Sequence, residues 1–329
     1  MITIYDIAKK AGVSASTVSR VINNKPNIKP ETREKIQKLL KEYDYVPDQN
    51  ARGLINKATK LIGILVADIR NDHHAALAYT VERRLRADGY LSLILNTGYD
   101  KESILASLKV LDQRKVEGIV VVGSIFQNDL VEHELKTKMK DTPVVIANGY
   151  LPLPNVYGIL VDERKGIKDL VTLLHKSGKR KMAFMATIGT PSSYEKLYGY
   201  QDGLEEYKLG EEIICEIDGI GQDDGYLGAV KLLEMHPEID AIICTEDLIA
   251  VGVIHYLNEK KIKIPKEVAV VGVNNSNYGK ICYPKITTMN NKMAETAIIT
   301  GDTLIGVLKG DIMPHKILLD ADIVEREST

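Results

Sequence analysis

A short segment near the start of the chain carries side chains that could read the edges of DNA bases. Residues 15–22, ASTVSRVI, have helical periodicity, with Val18, Val21 and Ile22 on an apolar face. The opposite face carries small side chains and one arginine: Ala15, Ser16, Ser19 and Arg20. Arginine pairs bidentately with guanine O6 and N7, and a helix with so narrow a face fits into a major groove. The segment is therefore a candidate recognition helix.

The flanking residues supply the elements that must position this helix. A preceding helix is predicted from apolar residues at helical spacing, namely Ile4, Ile7, Ala8 and Ala11. Gly12 ends it, because glycine takes a positive φ without steric cost. Ser14 is a good N-cap for the recognition helix, with Thr17 three positions on. A third helix opening at Pro30 closes a three-helix core with three apolar side chains: Ile36, Leu39 and Leu40.

Three stretches of this region resemble the DNA-binding headpiece and hinge of the lac-repressor (LacI/GalR) family of bacterial transcription regulators. They are TIYDIAKKAGVSASTVSRVINN, NIKPETREKI and YDYVPDQNARGL. The match is nearly gap-free over about 55 residues and continues more loosely to the end of the chain. The resemblance implies a helix-turn-helix headpiece at residues 1–46 and a hinge helix and linker at 47–58.

The resemblance also assigns contacts to particular side chains. Ala15, Ser16 and Arg20 match positions that read base edges. Contacts to phosphates, which set register and carry no sequence information, match Tyr5, Thr17, Ser19 and Asn23. In the hinge, Leu54 matches a leucine that enters the minor groove, and Ala51 would allow close approach of two hinge helices. A helix this short is marginal in water, so we expect the hinge to fold only on DNA.

The charge of the chain is divided unevenly. Residues 1–57 hold 11 Lys and Arg against 6 Asp and Glu, whereas the remainder holds 32 against 39. A basic N-terminal module on an acidic body is expected if only the small module touches phosphates. The 329 residues suffice for two or three domains.

No segment points to a membrane or to export. The N-terminus MITIYDIAKK lacks an apolar signal region, and no run approaches about 18 apolar residues. Three scattered cysteines, Cys215, Cys244 and Cys282, suit reduced thiols better than a disulfide framework or a zinc site. We therefore expect a cytoplasmic protein, associated with the nucleoid when it is bound to its operator.

Beyond residue 60 the pattern changes to short apolar runs that alternate with helical segments. The first runs are LIGILVA, LSLIL, GIVVVG and PVVIA, and the alternation starts again at Tyr157 with YGILVD, MAFMA, EIICEI, AIIC and VAVVGV. Such alternation indicates βαβ units and a parallel sheet covered on both faces. Two sets predict an α/β core of two doubly wound lobes.

The family resemblance makes this core periplasmic-binding-protein-like, with the effector between the lobes. It implies a core of residues 59–329, with one lobe at about 59–160 plus 291–320 and the other at about 161–290 plus 321–329. A last helix near Met293–Leu308 and a strand at Ile317–Leu319 would return to the first lobe. Since no leucine-heptad helix follows, we expect a homodimer.

Candidate effector-binding residues are polar side chains at the carboxyl ends of the strands, together with one apolar neighbour. They are His73, His74, Asp162, Ser192, Lys196, Ile220, Glu246 and Asn274. Asp162 suits an N-cap equally well, because a helix begins just beyond it. Adjacent histidines at a helix start point apart, so we expect no metal, and no motif calls for a cofactor.

Three of these positions depart from the pattern of sugar-binding relatives. Lys196 stands where many carry an arginine clamp, Glu246 where an asparagine is common, and Asn274 where an aspartate is common. Lysine lacks the bidentate fork of arginine. A sugar or sugar derivative is still the effector that the resemblance implies. The stretch TEDLIAVGVIH loosely resembles the equivalent stretch of catabolite control protein A, a member of the family that answers mainly to a phosphorylated partner protein. This resemblance keeps control by a protein co-regulator as an alternative.

Two other classes of protein fit the sequence less well. An enzyme is disfavoured because no strand is followed by GxGxxG, and neither GxxxxGK[ST] nor GxSxG occurs. A cytosolic solute-binding module without a DNA role would suit the body of the chain but not its basic N-terminus. The sequence therefore predicts a repressor that binds a pseudo-palindromic operator as a dimer under the control of a small molecule.

Overall fold

The computed structural model describes residues 2–22, 25–45 and 59–329. The chain divides into two compact units, one ending at Thr59 and one spanning Lys60–Thr329. Among the described residues, no helix has the length and apolar content needed to cross a membrane.

The described residues of the N-terminal unit form three helices: α1 at Ile4–Ala11, α2 at Ala15–Ile22 and α3 at Pro30–Glu42. Gly12 ends α1 with a φ of 73°, as predicted for a residue without a Cβ. Their shared core consists of buried apolar side chains from all three helices: Ile7, Ala8, Ala11, Val18, Val21 and Ile36. The three-helix core predicted from apolar spacing is therefore confirmed.

The first lobe of the second unit is a six-stranded, wholly parallel sheet in the order β11-β5-β4-β3-β1-β2. Its strands are β1 Leu61–Val66, β2 Leu91–Asn96, β3 Gly118–Val122, β4 Val144–Ala147, β5 Val156–Val161 and β11 Lys316–Leu319. Its helices are α4 Asp72–Ala87, α5 Lys101–Gln113, α6 Asp129–Lys138 and α12 Met293–Lys309, with a 3₁₀ turn at Ser124–Phe126. Apolar side chains cover both faces of this sheet, as expected for parallel strands.

The second lobe is a six-stranded sheet in the order β12-β10-β9-β8-β6-β7, parallel except that β12 runs antiparallel to β10. Its strands are β6 Met182–Ala186, β7 Ile213–Glu216, β8 Ala241–Cys244, β9 Ala269–Val273, β10 Thr287–Asn290 and β12 Asp322–Val324. Its helices are α7 Glu163–Lys176, α8 Pro191–Tyr207, α9 Gln222–Met235, α10 Asp247–Glu259 and α11 Asn277–Ile281. The fold class predicted from the alternating pattern is confirmed.

One assignment from the sequence pattern was wrong. The alternating pattern groups the run at Tyr157 with the second set, whereas the strand that contains it pairs with β4 and β11 in the first sheet, inside the bounds of about 59–160 that the resemblance implies for the first lobe. Periodicity identifies a buried strand but does not reveal its hydrogen-bonding partners, and β5 owes its place to pairing across the sheet. The chain passes between the lobes after β5, after β10 and again after β11. These three passages place the ends of strands from both sheets along one cleft.

Candidate nucleic-acid interface and effector cleft

A hydroxyl cap fixes the start of α2. The Thr17 N–H donates to Ser14 Oγ at 3.3 Å, and the Ser14 hydroxyl also bonds to those of Ser16 at 2.8 Å and Thr17 at 2.9 Å. A side-chain oxygen here satisfies an N–H that has no partner within the helix. The cap therefore sets where the polar face of α2 begins.

Helix α2 turns its polar side to solvent while Val18 and Val21 lie in the core beneath it. Ser16 and Arg20 are exposed, and the smaller side chains beside them are partly buried: Ala15, Thr17 and Ser19. Tyr5, on α1, is 75% exposed. The structure thus gathers six of the nine DNA-contact candidates in the N-terminal unit. The other three, Asn23, Ala51 and Leu54, lie outside the described residues.

The second unit holds a cleft between its two lobes. The space between the lobes amounts to about 850 Å³, a figure that includes its solvent-filled mouth. Seven of the eight effector candidates line it: His73, His74, Ser192, Lys196, Ile220, Glu246 and Asn274. Asp162 instead caps α7 by accepting the Lys165 N–H at 3.0 Å and faces a neighbouring cavity.

A buried ion pair lies in the cleft. Lys196 Nζ is 3.0 Å from Glu163 Oε1, and the two side chains are 10% and 3% exposed. The ammonium also donates to Ser192 Oγ at 3.0 Å. Burial acts to lower the pKa of Lys196, but the carboxylates of Glu163 and Glu246 outweigh it and hold that pKa above its usual value. Lys196 is therefore charged, and its charge is matched within the protein.

A chain of three polar side chains lies elsewhere in the cleft wall. The Asn291 amide donates to Asn274 Oδ1, and the Asn274 amide donates to Glu246 Oε2. Burial raises the pKa of Glu246 to about 7, while Lys196 and the Asn274 bond act in the opposite direction. We call Glu246, Asn274 and Asn291 the acid–amide relay.

A second acid keeps the ends of these strands together. Asp247 is 1% exposed and accepts the Ser276 N–H at 2.6 Å and the Thr288 hydroxyl at 2.7 Å. These bonds join the loops after β8 and β9 to strand β10. Asp247 thereby positions its neighbour Glu246 and the loop that carries Asn274.

The two adjacent histidines enter the cleft as neutral rings. Burial lowers the pKa of His73 to about 3, and the nearby His74 and Lys196 act in the same direction. Burial also lowers the pKa of His74, although Asp68 opposes the effect. Their ring centroids are 6.1 Å apart. Neutral imidazoles can each donate and accept one hydrogen bond, which suits recognition of a polar ligand.

Direct hydrogen bonds cross from one lobe to the other at the cleft. The Ser192 N–H, in the first turn of α8, donates to Ser124 Oγ at 3.2 Å. The Asn148 amide lies 3.5 Å from Glu163 Oε1. A ligand bound here would meet groups from both lobes, so its binding can favour one arrangement of the lobes over another.

The polar residues of the cleft lining that sequence reasoning missed include Ser124, Asn148, Glu163 and Asn291. Ser124 and Asn148 closely follow the carboxyl ends of β3 and β4, and Asn291 directly follows β10. The rule that ligands bind beyond the carboxyl ends of parallel strands was available to find them. Glu163 adjoins Asp162, but no sequence signal indicated which of the two acids faces the cleft.

The chain is similar to known proteins over its whole length. Residues 3–48 match the family described as bacterial regulatory proteins, lacI family, and residues 171–329 match the periplasmic binding protein-like domain. The chain is 33% identical over 329 residues to an HTH-type transcriptional regulator of Lachnoclostridium phytofermentans, an alignment that covers 99% of both chains. It is 29% identical to catabolite control protein A of Priestia megaterium, covering 100% of this chain and 99% of the relative. Among solved structures, it resembles the lac repressor dimer bound to operator and the anti-inducer ONPF, with a TM-score of 0.90, 20% identity and coverage of 99% and 98%.

Proposed function

The chain belongs to the lacI family of DNA-binding transcriptional regulators, and from this premise we propose that it is a homodimeric repressor. It binds a pseudo-palindromic operator in the cytoplasm and is associated with the nucleoid in that state. Its target genes serve carbohydrate uptake or catabolism. A small molecule in the cleft, a sugar or sugar derivative, controls its affinity for the operator. Its relatives are regulators rather than enzymes.

The observation that carries the proposal is the face of α2. Ser16 and Arg20 are exposed there while Val18 and Val21 anchor the helix from below. A rigid helix that offers hydroxyls and one guanidinium suits base edges in the major groove. Two such helices on a two-fold axis would read two half-sites in opposite orientation, which is why the proposed operator is pseudo-palindromic.

Control by a small molecule is supported by the contacts between the lobes. The bond from Ser192 to Ser124 and the contact of Asn148 with Glu163 belong to one relative position of the two lobes. A ligand that binds one position better shifts the balance by its differential affinity. Amides, hydroxyls and neutral imidazoles in the lining suit a ligand rich in hydroxyls.

The test starts with an operator selected by the full-length chain from a pool of random duplexes. The selected sequence is expected to be pseudo-palindromic, and one member of a panel of sugars, sugar acids and sugar phosphates is expected to change the affinity. Failure to select any sequence would contradict the proposed DNA readout. If no compound changed the affinity for the selected operator, the result would contradict the effector role and favour a protein co-regulator.

A further inference from the structure

Carboxylates outnumber cations among the residues that line the cleft. The cleft and the adjoining cavity, which share Asn71, His73, Ile220, Glu246 and Asn274, are lined by two cations and four carboxylates. Lys196 is paired with Glu163 at 3.0 Å, and Arg70 is paired with Asp68 at 2.7 Å. Glu246 and the exposed Asp72 remain. Within the part of the chain that the structure describes, neither forms an ion pair.

In the acid–amide relay, the linking amide groups already donate hydrogen bonds within the protein, whereas part of the capacity to accept hydrogen bonds is unused. Asn291 donates to Asn274, which donates to Glu246, so the amide hydrogens that link the relay are used inside the protein. At the far end, Asn291 Oδ1 is buried without a hydrogen-bond partner among the described residues. A carboxylate accepts up to about four hydrogen bonds, so Glu246 keeps free capacity. Both ends of the relay therefore call for a donor.

Burial makes the ionised form of Glu246 energetically costly. Desolvation raises the pKa of Glu246 to about 7. A cation placed next to a desolvated carboxylate removes much of that cost, whereas an anion would add repulsion. The two histidines do not supply the cation, because burial lowers the pKa of both rings.

We infer that the effector of this cleft carries a protonated amine beside its hydroxyl groups, as an amino sugar does, and that the ammonium binds at Glu246. An ammonium offers three donors and no acceptor, which matches the relay. A phosphate or carboxylate finds no unpaired cation among the described residues of the cleft, since Lys196 and Arg70 are both paired. The inference rests on the proposed effector role of the cleft.

The test compares matched ligands on the full-length protein by calorimetry. Glucosamine, galactosamine and mannosamine are each set against the parent hexose, the N-acetyl derivative and the 6-phosphate of the parent hexose. The N-acetyl group keeps the nitrogen but removes its charge. One amino sugar is expected to bind about tenfold or more tightly than its uncharged counterparts, because a hydrogen bond between charged groups is stronger than one between neutral groups. This ratio corresponds to about 1.4 kcal/mol.

Variants identify the carboxylate responsible. Glu246→Gln should bring the affinities for the amino sugar and its parent hexose together. Glu102→Gln removes a carboxylate that is exposed at the start of α5 and should leave their ratio as it is in the wild type. An unchanged ratio in Glu246→Gln would overturn the assignment of the ammonium to Glu246.

The outcomes separate this inference from the proposed function. Equal or tighter binding of a neutral hexose or a 6-phosphate overturns the inference but leaves the cleft as an effector site. Absence of binding by every amino sugar also overturns it. The proposed effector role is contradicted only if, in addition, neither the neutral sugars nor the phosphates change the affinity for the selected operator.

Discussion

Replacement of Glu246 by glutamine should change how stability depends on pH. The pKa of this carboxyl rises from 4.5 to about 7 because it is buried, with Lys196 and Asn274 opposing the rise and Asp247 and Glu163 adding to it. An acid with a raised pKa in the folded state binds its proton more tightly there than in the unfolded chain. Stability that is present below about pH 4.5 is therefore lost as the pH rises to about 7.

The size of this loss follows from the two pKa values. Each step of one in pKa corresponds to about 1.4 kcal/mol, so the full rise corresponds to about 3 kcal/mol as an upper value. Glutamine has nearly the same shape as the protonated acid and can still accept a hydrogen bond from the Asn274 amide. Glu246→Gln should thus match the wild type near pH 4.5 and exceed its free energy of unfolding by up to about 3 kcal/mol near pH 7.5.

Urea unfolding of the full-length protein, followed by circular dichroism at a series of pH values, measures this difference. Glu102→Gln is the control for loss of an exposed carboxylate. Curves for the wild type and Glu246→Gln that stay parallel across this pH range would refute the argument that burial penalises the ionised form of Glu246. If Glu246→Gln lost stability with rising pH more steeply than the wild type, the effect of Glu246 on the pH dependence of stability would have the opposite sign to the one expected from its burial.

Three further changes test other parts of the molecule. Arg20→Ala should weaken binding to the selected operator by about 1–3 kcal/mol and relax preference at one base pair, as measured by competition with point-substituted duplexes; an equal loss on random DNA, or a matching loss in Lys38→Ala on α3, would contradict base readout. Lys196→Ala should lower the free energy of unfolding by about 3–5 kcal/mol, because it leaves Glu163 buried without its partner. Adding Glu163→Gln should recover much of that loss, and a double variant no more stable than the single one would argue against the ion pair. Removal of residues 1–57 should abolish operator binding while the unit Lys60–Thr329 stays folded, as judged by its circular dichroism; a truncated chain that still binds operator would refute the assignment of DNA binding to the N-terminus.

Local signals predicted the N-terminal unit well. Gly12 ends α1 and Ser14 caps α2 because these effects act between residues a few positions apart. The apolar spacing that places Val18 and Ile36 in the core is likewise a property of each helix. Caps and periodicity are short-range, so a single sequence displays them directly.

Most strands of the core could also be predicted from the sequence, although β10 and β12 were missed, and the pairing partners of the strands could not. Buried runs such as β1 and β3 could be identified from their composition, and both are interior strands of the first sheet. The run at Tyr157 gave no sign that it pairs with β4 and with β11, a strand about 160 residues further on. Pairing depends on hydrogen bonds between distant segments, which periodicity does not encode.

The cleft, too, could be predicted from the sequence only in part. The family of the chain, its helix-turn-helix and the polar character of the residues at the strand ends could be inferred from the amino-acid sequence alone, because each depends on neighbouring residues. The folded structure was needed to show that Glu163 rather than Asp162 pairs with Lys196. It also joined Glu246 to Asn274 across 28 positions and Asn274 to Asn291 across 17. The charge state and bonding of a buried group are set by what surrounds it in space, so the chemistry of this cleft arises only when the two lobes are folded.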